Sequence, residues 1–199
     1  MLTCRKMKNI LLFLLIPCMT YSQTLSEKES CEIYNSCLIG FTKDSTGKFL
    51  VRESTVYYNC DWESLELNKL KLSPFNEQLP IDSSFIDLFK MFKQSDTSSI
   101  DLNFLTKCCN NDSISIFQDK QYQSCFKERG NGFNNFHKYF KDYYCFYEFS
   151  KIAITEDHKY AILYMNHNCD DLSASGYLLL CQKESNGWIV KHSIMLWIS

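Results

Sequence analysis

Side chains that can ligate a metal or attack a substrate lie together near the C-terminal end of the sequence. His167, Cys169 and Asp170 fall within four residues, and Asp171 follows them. Imidazole, thiolate and carboxylate groups are metal ligands, and a thiol beside an imidazole can also act as a nucleophile. Structural zinc sites usually show paired elements such as Cys-x-x-Cys, and this segment has none. The segment is therefore interpreted either as a turn-forming loop, which the spacing favours, or as a metal site at His167, Cys169 and Asp170.

A second set of residues would suit a ligand pocket. Tyr164 and Trp188 lie in predicted strands, and His137 lies on the apolar face of a predicted helix. Aromatic side chains line pockets for sugars or peptides, but at strand and helix spacing they more often form the core. Glu148 is expected to face solvent, with a cavity as the alternative. The core interpretation is favoured for the aromatic residues, and a pocket at His137, Trp188 and Tyr164 is kept beside it.

The motifs of several enzyme classes are missing from the sequence. It contains no Gly-x-Ser-x-Gly elbow, no Gly-rich phosphate loop and no His-Glu-x-x-His element. No catalytic residue and no cofactor are therefore predicted. The sequence indicates a non-enzymatic binding or envelope-associated module. The alternative is a pocket enzyme or a small-ligand carrier with its cavity between the sheet and a helix over residues 133–144.

The N-terminal residues resemble a secretory leader. A basic start is followed by a short apolar run and small residues, which predicts a signal peptide over residues 1–22. Cys18 raises the alternative of a lipid anchor, but Pro17 stands where such a site needs a small residue. Loss of the leader changes the formal net charge from −2 to about −5, which disfavours nucleic acid as a partner. An exported protein that binds a protein or a small molecule is expected.

Cysteine is unusually frequent in the sequence. Nine of the 11 cysteines follow residue 22. In an exported chain this number predicts several disulfides and at least one remaining thiol. Cys31 and Cys37 are the first predicted pair, because six residues can close a local loop without help from the rest of the fold.

The elements that must position these residues are most distinct in the last fifty residues. Apolar runs and the turn pair Asn186-Gly187 predict an antiparallel meander with strands over 150–155, 160–165, 176–181, 188–192 and 194–198. Residues 166–175 are predicted to form a loop. Apolar spacing predicts helices over 83–93, 99–108 and 133–144, and earlier strands over 49–51 and 113–117.

Aromatic and apolar residues of the last third also carry a resemblance. They are Phe133, Phe136, Tyr139, Phe140 and residues 149–152, 161–164, 176–177, 187–190 and 196–199. In this order they resemble a family of uncharacterised secreted or lipoprotein-type proteins of the Bacteroidetes. The loop over 169–176 matches that family only in part. The resemblance implies an exported protein with a sheet, and it implies no activity.

Together these patterns predict an α+β fold. Residues 23–199 are expected to form a single domain in which a curved antiparallel sheet carries helices on one face. This arrangement resembles the cystatin or nuclear-transport-factor-like folds. Such cupped sheets serve enzymes and binding proteins alike, so the expected fold assigns no function.

Overall fold

A computed structural model describes residues 25–41, 48–57, 83–94, 98–108, 113–127 and 130–199. The predicted signal peptide over 1–22, including Cys18, lies outside the described residues. The described parts form five helices: α1 Glu27–Phe41, α2 Ser83–Lys93, α3 Leu105–Cys108, α4 Asp119–Phe126 and α5 Gly132–Tyr139. They also form seven strands: β1 Phe49–Arg52, β2 Ile114–Phe117, β3 Phe146–Phe149, β4 Ala153–Ile154, β5 Tyr160–Asp170, β6 Ser173–Glu184 and β7 Gly187–Ile198.

All seven strands belong to one mixed sheet. The order across the sheet is β2-β1-β3-β5-β6-β7, and β4 pairs with β5 beside β3. The pairs β3–β5, β5–β6 and β6–β7 are antiparallel, whereas β1 runs parallel to both β2 and β3. Register shifts interrupt the β5–β6 and β6–β7 ladders, and such bulges bend a sheet. The predicted α+β class with a curved sheet is confirmed.

The meander is present, with longer strands than the sequence predicted. Residues 166–175 are not a loop, because β5 continues to Asp170 and β6 begins at Ser173. The amides of Asn166 and Asn168 bond to Glu148 on the neighbouring strand, so these polar residues extend the strand. The predicted strand over 150–155 is reduced to β4, and the sequence did not predict β3.

Of the three predicted helices, the one over 83–93 is confirmed by α2. Leu88, Phe89 and Phe92 of its apolar stripe are buried. The helix over 99–108 is wrong except for α3. Residues before α3 are extended because the backbone of Leu102 donates to the carbonyl of Glu53, and Ser54 pairs with Asp101.

Helix α5 ends at Tyr139, so the predicted helix over 133–144 is too long. Phe140 leaves the helical conformation with φ −118° and ψ 57°. Its ring instead packs 4.8 Å from that of Phe117 and stacks on Phe136. Residues 141–145 therefore lie outside the helix, where they line a cavity.

The sequence did not predict α1 as a full helix. The Ser26 hydroxyl accepts a hydrogen bond from the backbone N–H of Glu29, which caps the helix start. Tyr34, Cys37 and Leu38 then form its buried side. This spacing places all three against the sheet.

Helices cover both faces of the sheet, whereas the sequence predicted helices on one face. We call first face the side that carries Tyr147, Phe149, Leu163 and Met165, and second face the side that carries Phe146, Glu148, Ile162 and Tyr164. Helix α1 packs on the first face, and α2, α4 and α5 pack on the second. The central strand β5 is apolar on both sides from residue 161 to residue 165, so each side requires a cover.

None of the helices in the described part of the chain is long and apolar enough to cross a membrane.

Candidate functional site

The register of β3 and β5 brings together residues that are far apart in the sequence. Tyr147 pairs with His167, and Phe146 pairs with Asn168, so Cys145 lies opposite Cys169. Because side chains alternate along a strand, Cys145, Tyr147, His167 and Cys169 all lie on the first face. We call these four residues the Cys145 cluster.

A cross-strand disulfide joins Cys145 to Cys169 within this cluster. His167 lies beside it, with Nε2 3.1 Å from Sγ of Cys169. The imidazole stacks on the ring of Tyr147 with a centroid distance of 5.0 Å and an interplanar angle of 18°. Strand pairing, the disulfide and stacking thus fix the position of each member.

Among the described residues, Cys145, His167 and Cys169 form a group of three potential metal ligands. Their ligand atoms lie within 4.8 Å of one another. Two of the three residues predicted from the sequence, His167 and Cys169, are therefore adjacent in space. Asp170 is exposed, lies outside the group and accepts a hydrogen bond from the backbone of Asp171. Thiolates bind metals, so the group can act as a ligand set only when the disulfide is reduced.

A cavity of about 230 Å³ lies next to the cluster, at the edge of the sheet where β1 and β3 begin. Basic and aromatic side chains dominate its wall. The lining residues are Lys48, His137, Lys141, Asp142, Tyr143, Tyr144, Cys145 and Tyr147. The segment from α5 to β3 supplies most of them, so the early end of α5 creates the wall.

The space directly beneath α5, where the sequence placed a cavity, is filled. Phe136 is fully buried there, and Phe133, Phe140, Phe117 and Phe146 pack around it. The aromatic residues beneath α5 are core residues. The cavity lies beyond the C-terminal end of the helix instead.

Of the three residues predicted to form a pocket, only His137 lines the cavity. Tyr164 is buried under α2 on the second face, where its hydroxyl accepts a hydrogen bond from the indole of Trp197. Trp188 is buried under α1 on the first face. The structure does not bring His137, Trp188 and Tyr164 together, and Trp188 and Tyr164 are core residues, as the favoured interpretation expected.

The second face of β3 and β5 carries a different polar group, which we call the Arg52 network. It consists of Arg52, Asp119, Glu148, Asn166 and Asn168. Arg52 donates to Glu148 over 2.6 Å and to Asp119 over 3.1 Å. The amides of Asn166 and Asn168 donate to the other oxygen of Glu148 over 2.9 and 3.1 Å. Among the described residues, Asn166 Oδ1 is buried without a hydrogen-bond partner.

Glu148 is 7 % exposed, so the expectation that it faces solvent is wrong. Burial lowers the pKa of Arg52, but its bonds to Glu148 and Asp119 outweigh this effect and raise the pKa overall. Burial also raises the pKa of Tyr122, whose ring centroid lies 4.0 Å from the guanidinium, and the charge of Glu148 adds to this rise. The network connects β1, α4, β3 and β5, and it is consistent with a structural role.

The disulfide predicted between Cys31 and Cys37 is wrong. Cys31 is disulfide-bonded, but Cys37 is a free buried thiol. Its sulfur lies 3.5 Å from that of Cys181, which is also buried and free. Burial raises the pKa of Cys37, and the neighbouring Cys181 raises it further. Helical geometry separates Cys31 from Cys37, because residues six apart lie almost two turns apart along α1.

The sequence alone did not single out Cys145, Lys48, Lys141 or Asp142 of the cavity wall, whereas His137, Tyr143, Tyr144 and Tyr147 were among the residues considered for a pocket. Cys145 and Tyr147 have the same period-two spacing as His167 and Cys169, and two such pairs share a face when the register of the two strands aligns them. That signal required β3 to be recognised as a strand. Lys48, Lys141 and Asp142 lie outside strands and helices, and their spacing carries no signal.

Comparison with known proteins finds no family model, no curated protein and no solved structure that matches this chain.

Proposed function

We propose that this protein is an exported, non-enzymatic binding module whose ligand is a small organic anion. The observation that carries the proposal is the cavity at the start of β1 and β3, with its basic and aromatic wall. Pockets for small molecules combine aromatic walls with a few polar groups that set orientation. The volume of about 230 Å³ suits a ligand of one aromatic ring or one sugar ring.

The charge of the wall favours an anion. Lys48 and Lys141 contribute two positive charges and Asp142 one negative charge, whereas the whole chain has a formal net charge of −2. Lysine is a flexible point donor that binds carboxylate, sulfate and phosphate groups. His137 adds a ring nitrogen, and Tyr143 and Tyr144 add aromatic surface for an apolar ring.

Binding is favoured over catalysis by the state of the sulfur in the wall. Cys145 borders the cavity, but its sulfur is bonded to Cys169 and is not a thiolate nucleophile. The same disulfide supports export, because disulfides persist mainly in oxidising compartments. Intact mass of the protein recovered from its native cells tests this part. We expect cleavage after Ser22, which removes Cys18, and a retained leader would contradict export.

Phenyl phosphate is a suitable probe of the cavity, because it joins one aromatic ring to one anionic group. We expect a saturable titration in ¹⁵N–¹H NMR spectra, with the largest shifts at the backbone amides of residues 141–147. The neutral analogue phenol should bind more weakly. The absence of saturable shifts in this segment would contradict the proposed site.

Two lysine variants sharpen the test. Lys141→Met should weaken phenyl phosphate binding about tenfold, because a charge-assisted contact is lost from the wall. Lys138→Met is the matched control, because Lys138 is exposed on α5 and does not line the cavity. Equal affinities of the two variants would show that the anion binds elsewhere.

A further inference from the structure

We propose that the Cys145 cluster becomes a zinc site when its disulfide is reduced, with Cys145, Cys169 and His167 as the three protein ligands. The inference does not rest on the proposed function, because the three protein ligands are present whether or not the cavity binds an organic anion. Cys145 and Cys169 would then either bond to each other or bind zinc, but not both at once.

The arrangement of the ligand atoms supports this inference. The two sulfurs and a ring nitrogen already lie within 4.8 Å of one another. In a tetrahedral site zinc lies about 2.3 Å from each sulfur and about 2.0 to 2.1 Å from the nitrogen. After reduction the two sulfurs are free to rotate apart and admit the ion between them. Two thiolates and one imidazole form a soft ligand set that suits zinc.

The supporting structure holds these ligands in place. Cys169 and His167 belong to β5, and Cys145 directly precedes β3, so the β3–β5 ladder sets their spacing. Tyr147 stacks on His167 and limits its ring orientation. Ligands on paired strands lose little conformational freedom when they bind a metal.

The charge and coordination of the site also fit zinc. Two thiolates neutralise the charge of Zn²⁺, so the partly buried site holds no net charge. Because Cys145 borders the cavity, a fourth ligand could reach the zinc ion from the cavity. Three protein ligands and one open position are the pattern of zinc sites that accept water or an external ligand.

The conversion requires a reductant, and a protein dithiol would serve. The dithiol gives two electrons and two protons to the disulfide of Cys145 and Cys169. It becomes a disulfide itself, and Cys145 and Cys169 become thiols. Binding of Zn²⁺ then displaces the two thiol protons to solvent, while neutral His167 contributes a nitrogen lone pair.

Titration with Co²⁺ tests the inference, because cobalt takes the zinc geometry and its bonds to thiolates absorb light. Protein without phenyl phosphate is divided into an oxidised sample and a sample reduced with a phosphine that is then removed. We expect a thiolate-to-cobalt charge-transfer band with 1:1 stoichiometry in the reduced sample, and displacement of cobalt by Zn²⁺. The oxidised sample should show no such band. Absence of the band from reduced, folded protein would overturn the inference.

Variants identify the ligands. Cys169→Ser should remove most of the band. His167→Phe keeps a ring against Tyr147 and should weaken Zn²⁺ binding by more than about 100-fold, because second-shell losses alone cost about 10- to 100-fold. Cys181→Ala is the control for the buried thiols and should bind cobalt like the wild type. Equal affinity of His167→Phe and the wild type would overturn the assignment of His167.

Reduction alone can unfold the protein, so circular dichroism is recorded before and after zinc addition. A reduced protein that has unfolded and regains its spectrum with Zn²⁺ supports the site. Reduced Cys169→Ser is the control, because the reductant also breaks the disulfide of Cys31 in both proteins. Equal recovery of the reduced wild type and the reduced variant with Zn²⁺ would overturn the site. Because no anion is present, these outcomes are independent of the phenyl phosphate test.

Discussion

Strands β3 and β5 carry two polar groups on opposite faces, one residue step apart along each strand. On the second face, Glu148, Asn166 and Asn168 join Arg52 in a network whose charged groups are paired with one another. On the first face, His167 and Cys169 join Cys145 in a cluster that borders a cavity. The same two strands thus carry the Arg52 network, whose charged groups are paired with one another, and the Cys145 cluster, which borders a cavity.

The difference shows that burial of polar residues does not by itself indicate a functional site. Arg52 and Glu148 satisfy each other, so little hydrogen-bonding capacity is left for a ligand, and their removal should mainly affect stability. The Cys145 cluster has a neighbouring space and a reducible bond, so its removal should mainly affect binding.

The largest loss of stability is expected in the Arg52 network. Arg52→Met leaves the buried carboxylate of Glu148 without its cation and should lower the free energy of unfolding by about 3 to 5 kcal/mol. Urea denaturation measures this loss. Lys90→Met is the control, because Lys90 and Asp87 form an exposed pair that is worth less than about 1 kcal/mol. Equal losses in the two variants would contradict the structural role of the network.

The disulfide of the Cys145 cluster should have the next largest effect on stability. Its cysteines are 24 residues apart, and closing a loop of this length is worth about 3 kcal/mol. Cys169→Ser should show this loss in urea denaturation, and a reductant should destabilise the variant by about 3 kcal/mol less than it destabilises the wild type, because only the disulfide of Cys31 is left to be reduced. Cys125→Ala is the control, because Cys125 is a buried free thiol, and the reductant should affect this variant as it affects the wild type. A variant that still responds to the reductant as the wild type does would contradict the assigned bond.

Two adjacent residues on β5 provide a smaller and more selective contrast. Asn168→Ala removes a hydrogen bond to Glu148 and should lower the free energy of unfolding by about 1.5 to 3 kcal/mol, with unchanged Co²⁺ binding after reduction. His167→Ala removes a stacked ring and should lower it by about 0.5 to 1.5 kcal/mol, with loss of Co²⁺ binding. Loss of cobalt binding in both variants would show that the two faces are not independent.

The smallest effect on stability concerns the ion pairs of Glu29, which attach α1 to the sheet. Glu29 binds Lys183 and His158, both over 2.8 Å. Burial raises the pKa of Glu29, but these two partners outweigh it and hold the pKa below its ordinary value of 4.5. The stability that Glu29 contributes is therefore present above pH 4.5 and is lost as the pH falls through the lower pKa of the folded state.

Glu29→Gln should accordingly lose less stability than the wild type between pH 5 and pH 3, as measured by urea denaturation at each pH. Glu32→Gln makes the same chemical change elsewhere on α1 and serves as the control. Parallel pH profiles for the wild type and Glu29→Gln would contradict the assigned ion pairs.

Local patterns predicted the parts of the fold that local interactions determine. Leu88, Phe89 and Phe92 recur at helical spacing, and α2 follows from them. The extension of β5 through Asn166 and Asn168 depends on Glu148, which is 18 and 20 residues away in the sequence. No local pattern reports such a bond, so the sequence suggested a loop there.

The candidate site was predicted in part for the same reason. His167 and Cys169 are sequence neighbours of suggestive type, and the structure brings them together. Cys145 joins them only through the pairing of β3 with β5, and Asp170 is excluded because it lies beyond the bulge near the end of β5. The Ser26-x-x-Glu29 pattern at the start of α1 is a helix start signal that the sequence did contain.

A crystal structure of the protein grown with phenyl phosphate tests the central claim most directly, because it shows which face of β3 and β5 accepts a ligand. We expect the phosphate within hydrogen-bonding distance of Lys141 and the ring against Tyr143 or Tyr144, with the Arg52 network unchanged. Phenyl phosphate bound at the Arg52 network, or a cavity without it at a concentration that saturates the NMR shifts, would contradict the account.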